Sequence, residues 1–518
     1  MSADARGEVA RSRRAARGRG VGWAAAAGIA GGLAASTAGA TSLYDAIRLA
    51  YDTNPTLRAQ RAELAAVGEG YVQARSNLGP QVAINGQEGY QGARVQAGAG
   101  LFTPRSDTSY RGATGQADLS IVQPLFTAGA GRAQVRSAQQ SVLAGREDLR
   151  QSENETIQKV IAAYTDVRRD RQILGILRDE IDNLTSVFAE AKAKGELGEL
   201  TRTDVAESEA RLLSAEAQLV VARGRLTASD AEYLAVVGEN PDELEPEPEL
   251  PGVPASLDEA FAASDQNNPQ IRSALNAERA AREKVNAAKS AYGPTVSLRF
   301  DAGVSPIEPY IPGLYDRSVT IAAVVSQPIF TAGMNASKVR EAADRDSQAM
   351  LDIEAARRGV VQTIAQAWGQ WTAARAATGL KVRQVDVERV AVEGNQVEER
   401  VGRRSIFELT NLEVELASAR IDLLQSRHDE YSARASLLGA MGLLEVRYLT
   451  PGVTPYDPAA GLKRAAKADA VPWTAAVQRL DGVIAPHTAA PAVGAPGAGS
   501  TRPVADPAAG PHERSESR

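Results

Sequence analysis

The eight residues VQPLFTAG at Val122–Gly129 return as SQPIFTAG at Ser326–Gly333, 204 positions later (326 − 122). The stretch SLYDAIRLAYDTNPTLR at Ser42–Arg58 returns as SLDEAFAASDQNNPQIR at Ser256–Arg272, and Gly79-Pro80 as Gly293-Pro294, both at an offset of 214 (256 − 42 and 293 − 79). Three matches in the same order mean that the chain builds one unit twice. Each copy opens with a short helix, carrying Leu43, Ala46 and Ile47 in the first, and reaches an Asn-Pro pair. Thr53 or Asn54 is placed to cap the next helix, and Pro55 occupies its first position, where the missing N–H has no intrahelical partner to lose. A helix of about 24 residues then runs to Gly-Pro.

Beyond Gly-Pro the apolar period falls to that of a strand. Val82 and Ile84 oppose Gln81, Asn85 and Gln87; Val296, Leu298, Phe300, Ala302 and Val304 oppose Thr295, Ser297, Arg299 and Asp301. Ahead of the repeated motif, Ala117, Leu119 and Ile121 oppose Gln116, Asp118 and Ser120, while Val319, Ile321, Ala323 and Val325 oppose Ser318, Thr320 and Ser326. Four strands are therefore predicted, at about 80–90, 113–126, 294–304 and 317–330. A soluble sandwich would alternate too. Strand lengths near the ~9–11 residues needed to cross a bilayer, and aromatics at the strand ends (Tyr90, Phe102, Tyr110, Tyr292, Tyr310, Tyr315), favour a membrane barrel with a lipid face and a water face. The intervening segments Gln91–Ser109 and Ser305–Pro312 are expected as outward-facing loops.

The repeated motif is a strand-to-helix junction. Pro124 and Pro328 lack the N–H that a ladder needs and mark strand exits. Phe126 and Phe330 give bulky contact there, Thr127 and Thr331 are placed to cap a helix, and each motif closes on a glycine, Gly129 or Gly333. Four strands cannot close a barrel, since the smallest membrane barrels have about eight, and open edges in lipid are untenable. Copies of the chain must complete it, and the pattern allows any multiple of four strands from at least two chains.

From about 128 to 193 and from about 333 to 401 no proline interrupts a helical pattern, giving two helices of roughly 100 Å that need coiled-coil partners. Return helices are expected at about 203–237 and 405–440. Val205, Leu212, Leu219, Leu226 and Tyr233 recur every seventh residue, as do Leu409, Leu416, Leu423 and Leu437, with Glu430 interrupting. Strict sevens specify left-handed supercoiling. A return helix and an Asn-Pro helix, end to end, approach the length of one long helix. The repeats are thus residues 41–240 and 256–448, joined by an acidic, proline-rich linker at 241–255 and followed by an extension, 449–518, expected to be largely disordered.

Composition narrows the function. The chain has no cysteine and three histidines, His428, His487 and His512, which excludes thiolate metal sites, disulfides and a lipidated N-terminal cysteine. No phosphate loop, zinc-protease or serine-hydrolase motif occurs, so neither catalytic nor cofactor nor metal residues are assigned. Six arginines between Arg6 and Arg19 precede the uncharged run VGWAAAAGIAGGLAASTAGA, the layout of a secretory signal ending near Ala40. Its removal, at +4, takes the net charge from −6 to about −10, so nucleic acid is not an expected partner.

The duplicated Asn-Pro helix starts, the QPLFTAG and QPIFTAG junctions, and the tip sequences GELTRTDVAESEARL (Gly198–Leu212) and GRRSIFELTNLEVEL (Gly402–Leu416) resemble the TolC family of outer-membrane channel proteins over about residues 42–450. The resemblance implies a mainly α protein with a membrane β-barrel: a homotrimer whose four-stranded sets form a twelve-stranded barrel, continued by a long α-helical coiled-coil tunnel across the periplasm. It implies location in the outer membrane of a Gram-negative bacterium, contact with outer-membrane lipid, and docking to a periplasmic adaptor and an inner-membrane pump of RND, ABC or MFS type, for drug efflux or type I secretion. A non-conducting, periplasm-spanning scaffold is the alternative. By position, Arg404 matches the family's basic latch residue, Thr203 and Asp204 its partners on the other hairpin, and Glu408 a constricting acid; Asn411 and Glu399 depart from the family's second acid and aromatic latch. Gly198, Thr201, Gly402 and Ser405 mark the hairpin tips expected to meet the adaptor.

Overall fold

The computed structural model describes residues 40–97, 106–307, 314–401, 403–449, 455–459 and 479. The segment read as a secretory signal and most of the C-terminal extension lie outside the described residues. All the elements below belong to the unit Thr41–Arg518.

In chain order the first repeat runs α1 (Leu43–Thr53), α2 (Pro55–Ser76), β1 (Gln81–Ala97), β2 (Ser106–Phe126), α3 (Ala130–Glu196) and α4 (Arg202–Val237). The second runs α5 (Leu257–Asn267), α6 (Pro269–Ser290), β3 (Thr295–Pro306), β4 (Tyr315–Ser326), α7 (Met334–Arg400) and α8 (Ile406–Ala440), followed by the single turn α9 (Val446–Leu449). Both long helices have 67 residues, roughly 100 Å at 1.5 Å per residue.

End-to-end stacking of the shorter helices has an identifiable cause. The Asn54 side chain accepts from Thr56 N and Leu57 N at the start of α2, while its amide nitrogen donates to Val236 O at the end of α4, 3.0 Å away. Asn268 does the same for α6 and the end of α8, donating to Ala440 O at 2.8 Å. One asparagine thus satisfies orphan groups at two helix ends and aligns them. The composite α2/α4 lies along one side of α3, α6/α8 along its other side, and α7 beyond α6/α8.

The largest apolar core gathers where these helices meet: Leu43, Ile47, Ile161, Tyr164, Tyr233 and Leu438 are all within it. The acidic segment between the repeats is docked there as a strap, not a free linker. Tyr164, 0 % exposed, places its hydroxyl 2.9 Å from Thr41 O and 2.8 Å from Glu245 O. Tyr431 donates to Pro248 O at 2.9 Å, Arg434 to Leu250 O, and Arg168 pairs with Glu247. The proline spacing that reads as linker composition keeps this stretch extended, leaving its carbonyls free for side-chain donors. Part of the extension is docked too: Tyr456 N donates to the Tyr51 hydroxyl at 3.0 Å, and the two rings flank the Arg61 guanidinium.

The strands form one antiparallel sheet in the order β1-β2-β3-β4. The first hairpin is longer than its apolar alternation predicts. Gly89–Arg94 keep pairing, with Thr114–Ser109, and Arg94 is joined to Asp107, so most of Gln91–Ser109 is strand and not loop. Its glycines read as loop residues, but ladder hydrogen bonds do not depend on side chains. Pro124 lies within β2: the register shifts between Pro124 and Phe126, a bulge that absorbs the missing N–H. β4 ends sooner than predicted, at Ser326, ahead of Pro328.

Each junction turns through two left-handed residues, Ala128 (φ 54°) and Gly129 (φ 90°), then Ala332 (φ 47°) and Gly333 (φ 85°). The helix cap is the glycine rather than the threonine, yet Thr127 Oγ1 still accepts from Gly131 N at 3.0 Å. An alanine in this region carries roughly 1 kcal/mol of strain, and here it packs across the repeats: a Cβ on Gly293 would lie 2.3 Å from the Ala128 Cβ. Gly293→Ala is therefore expected to destabilise the protein by about 1–3 kcal/mol, and adding Ala128→Gly to recover most of the loss. Denaturation midpoints of the two variants check this; a double variant no more stable than Gly293→Ala would contradict it.

Candidate functional site

The site is a wall with three parts: a sheet with two unlike faces, the junctions beneath it, and the two hairpin tips at the far ends of the long helices. Across the sheet, Val82, Ile121, Phe300 and Ile321 form one row, and Ile84, Leu119, Ala302 and Val319 the next. Ile84 is 81 % exposed in the single chain, and Val82, Val319 and Ile321 are exposed as well. The opposite face pairs polar groups. Asn85 donates to Asp118 at 2.9 Å, Gln116 to Gln87 at 3.1 Å, and Arg299 to Asp301 at 2.7 Å. An apolar face of this breadth suits hydrocarbon, and the polar face suits a water-filled lumen. β1 and β4 are the outer strands of the order, each with one edge unpaired in the chain.

Below the sheet, Gln123 Nε2 donates to Leu78 O at 2.9 Å and Gln327 Nε2 to Tyr292 O at 2.8 Å. The glutamine of each QP motif thus ties the exit of one hairpin strand to the Gly-Pro turn that began the other. In the sequence it is visible only as the repeated letter before each proline; its partners, Leu78 O and Tyr292 O, lie 45 and 35 residues earlier. Pro124, Phe126 and Gly129 sit in a part-buried junction, whereas their counterparts Phe330 and Gly333 are exposed, Phe330 by 87 % and its neighbour Ile329 by 94 %.

At the tips, Gly198 takes φ 78° after α3, and Glu199 N bonds back to Lys194 O at 2.9 Å. On the second hairpin Arg403 N bonds back to Glu398 O at 2.9 Å; Gly402 lies outside the described residues. Thr201 and Ser405 then open the return helices with matching capping boxes. Asp204 Oδ2 accepts from Thr201 N at 3.0 Å, and Glu408 Oε2 accepts from Ser405 N at 3.2 Å. The signal for these boxes in the sequence is the spacing Thr201-x-x-Asp204 and Ser405-x-x-Glu408.

Arg404 is not brought to Thr203 or Asp204 within the chain. Its Nε lies 3.1 Å from Glu398 and its Nη1 3.5 Å from Glu408, both carboxylates of its own hairpin. Thr203 and Asn411 are exposed. With Arg404 47 % exposed, these pairs contribute at most about 1 kcal/mol. The polar bridges between the two hairpins stand higher. Asn183 on α3 donates to Glu413 on α8 at 2.5 Å, and further up His428 on α8 meets Asp166 on α3 at 3.0 Å.

Three comparisons bear on this geometry. The family profile described as outer membrane efflux protein matches residues 46–239 and 262–443. The chain is 30% identical over 417 residues to the outer membrane efflux protein BepC of Brucella suis, spanning 80% of this chain and 89% of that protein. It is 25% identical over 414 residues to the alkaline protease secretion protein AprF of Pseudomonas aeruginosa, spanning 78% and 85%. Its fold is similar to the crystal structure of the CmeC outer membrane channel of Campylobacter jejuni, with a TM-score of 0.66 at 15% identity over 82% of this chain and 89% of that one. With its duplicated hairpins, two-faced sheet and paired tips, the chain belongs to the outer membrane efflux protein family, the TolC family of channels.

Proposed function

We propose that three copies of the chain close into one exit duct, a barrel in the outer membrane continued by a helical tunnel that accepts substrates from a pump and adaptor in the periplasm. The observation that carries this reading is the unequal burial of equivalent helices. α3 and α7 are equal in length and 204 residues apart (334 − 130), yet twenty residues of α3 are buried and six of α7. α3 is flanked by composite helices on both sides and α7 on one only. Leu380 and Val387, seven apart, are exposed on α7, with Val390 and Val397 forming a second such pair; Leu213 and Val220 are exposed on α4. Apolar heptads left open at opposite ends of the helix order fit a head-to-tail interface that closes into a ring. The free edges of β1 and β4 ask for the same neighbour, and the exposed Ile329 and Phe330 would be covered as the first junction already is.

The family resemblance supplies the number three and the gated tip. Arg404, Glu398 and Glu408 on the second hairpin, with Thr203, Asp204 and Asn411 nearby or opposite, are the groups that would face one another when three tips converge, and Gly198, Thr201, Gly402 and Ser405 the small residues an adaptor would meet. The polar sheet face supports conduction over a plugged scaffold. BepC and AprF are named for efflux and for protease secretion respectively; substrate choice would rest largely with the pump.

Leu380→Asp combined with Val387→Asp is expected to leave single chains in detergent, measured by light scattering; an intact trimer would contradict the interface. Arg404→Ala, with a stability change of no more than about 1 kcal/mol, is expected to raise single-channel conductance in a planar bilayer, and an unchanged conductance would count against the latch. Glu408→Gln keeps an acceptor for the Ser405 cap while removing charge, so cation preference should fall with folding intact. Identical reversal potentials would refute a charge role at that position.

A further inference from the structure

His428 stands a turn below the strap, on the face of α8 that meets α3, and its side chain is 14 % exposed. Its Nε2 is 3.0 Å from Asp166 Oδ1 of α3, poorly aligned for a hydrogen bond but within ion-pair distance, and its Nδ1 is 3.0 Å from Asp429 Oδ1. Asp166 is also held by Arg169, 2.6 Å away; Arg169 reaches Asp170, which accepts from Ser229 of α4. On its other side α8 meets α7 through Thr378 and Ser426, and the charged groups there are engaged elsewhere: Lys381 with Asp422 at 2.7 Å, Arg375 over the Trp371 ring. The imidazole therefore sits between two carboxylates and one guanidinium, at a seam joining three helices of both hairpins.

Its position on α8 gives it leverage. Tyr431 and Arg434 fasten α8 to the strap just above. From Arg434 to His428 is about 9 Å of helix and from Arg434 to Ser405 about 43 Å, so a displacement of ~1 Å at His428 becomes ~5 Å at the tip if α8 pivots as a rod. Below His428 the contacts of α8 with α3 include the Asn183–Glu413 bond and apolar packing around Ile421, and the apolar part permits sliding more readily than a charged bridge does.

We propose that His428 is a positioning residue for the conduit: its bridge to Asp166 sets the angle between the two helical hairpins, and with it the separation of their tips. The proposal rests on the channel reading above only for its consequence, not for the movement itself. Burial alone would push the imidazole toward neutrality, but the adjoining Asp166 and Asp429 carboxylates outweigh it and raise its pKa. Burial would likewise raise Asp166, and the His428 and Arg169 contacts more than offset it, holding the carboxyl below its usual range. A raised histidine contributes stability that is complete below about pH 6.5, its unfolded value, and is lost as pH rises through the folded value. The depressed aspartate contributes above about pH 3.9 and fails only as pH falls through its own lowered value. The bridge is thus firm in mild acid and released as pH rises through the raised folded-state value.

The cysteine-free chain allows a direct test. Leu197 and Val401, exposed at the two tips, are replaced by spin-labelled cysteines, and their separation is measured by electron–electron resonance in full-length assemblies diluted with unlabelled protein. Measurements are made at about pH 5.5 and about pH 8.5, either side of the imidazole range. The native histidine should give a lengthening of roughly 5 Å at the higher pH, His428→Gln the long distance at both, and His428→Lys, charged throughout, the short distance at both. A native distance that ignores pH, or a His428→Gln variant that follows the native curve, would overturn the proposal; if His428→Gln fails to assemble, the native and His428→Lys curves decide it. Single-channel conductance on the same proteins separates the two readings. Tips that move with His428 while conductance stays constant would refute the tips as the gate and leave the brace standing.

Discussion

Backbone amides have no partner in hydrocarbon. That constraint sits behind every other feature of this chain. A single copy supplies four strands and therefore two unsatisfied edges, β1 and β4, and each unpaired group in lipid costs several kcal/mol. The helical part repeats the problem in water, where α7 and α4 leave apolar heptads uncovered. In the proposed assembly one head-to-tail contact would answer both, because the neighbour that paired β4 with β1 would also lay its α2/α4 composite against α7. Duplication makes this economical: the contact between the first and second repeats inside a chain would serve as the template for the proposed contact between chains.

Within the chain the joints are made by very few side chains. Asn54 and Asn268 align helices across their ends, Gln123 and Gln327 tie each hairpin to its Gly-Pro turn, and Tyr164 holds the strap against α3. These are all hydrogen bonds to backbone carbonyls, which leaves the long helices free to differ in their surfaces while the corners stay constant. Below the strap the joints between the two hairpins include charged groups, His428 with Asp166 and Asn183 with Glu413, beside apolar packing around Ile421. Rigid corners above and a partly charged seam below suit the proposed tube, whose tip would open.

Much of this was legible in the sequence, for local reasons. Alternation at Val82, Ile84, Leu119, Ile121, Phe300 and Ile321 reveals strands because one face meets lipid, and the heptads at Leu212 and Leu416 reveal seams because helices wind with fixed period. The strand ends were less legible. Gly92 falls in the segment read as a loop, yet the ladder continues through it to Ala97. The strap looked like a linker because its docking depends on Tyr164, Tyr431 and Arg434, far away in the chain. His428 was only a histidine on a helix: Asp166, which gives it meaning, is 262 residues earlier (428 − 166), and nothing local announces the pair. Arg404 is matched to Thr203 and Asp204 by positional likeness alone, and within the single chain it lies beside Glu398 and Glu408.

The account stands on the incompleteness of one copy, so the mass of the purified, detergent-solubilised native complex tests it most directly. Three processed chains in one particle, each somewhat below the 54.6 kDa of the full sequence, is the result predicted. A stable particle of one chain, folded and with its sheet intact, would contradict it.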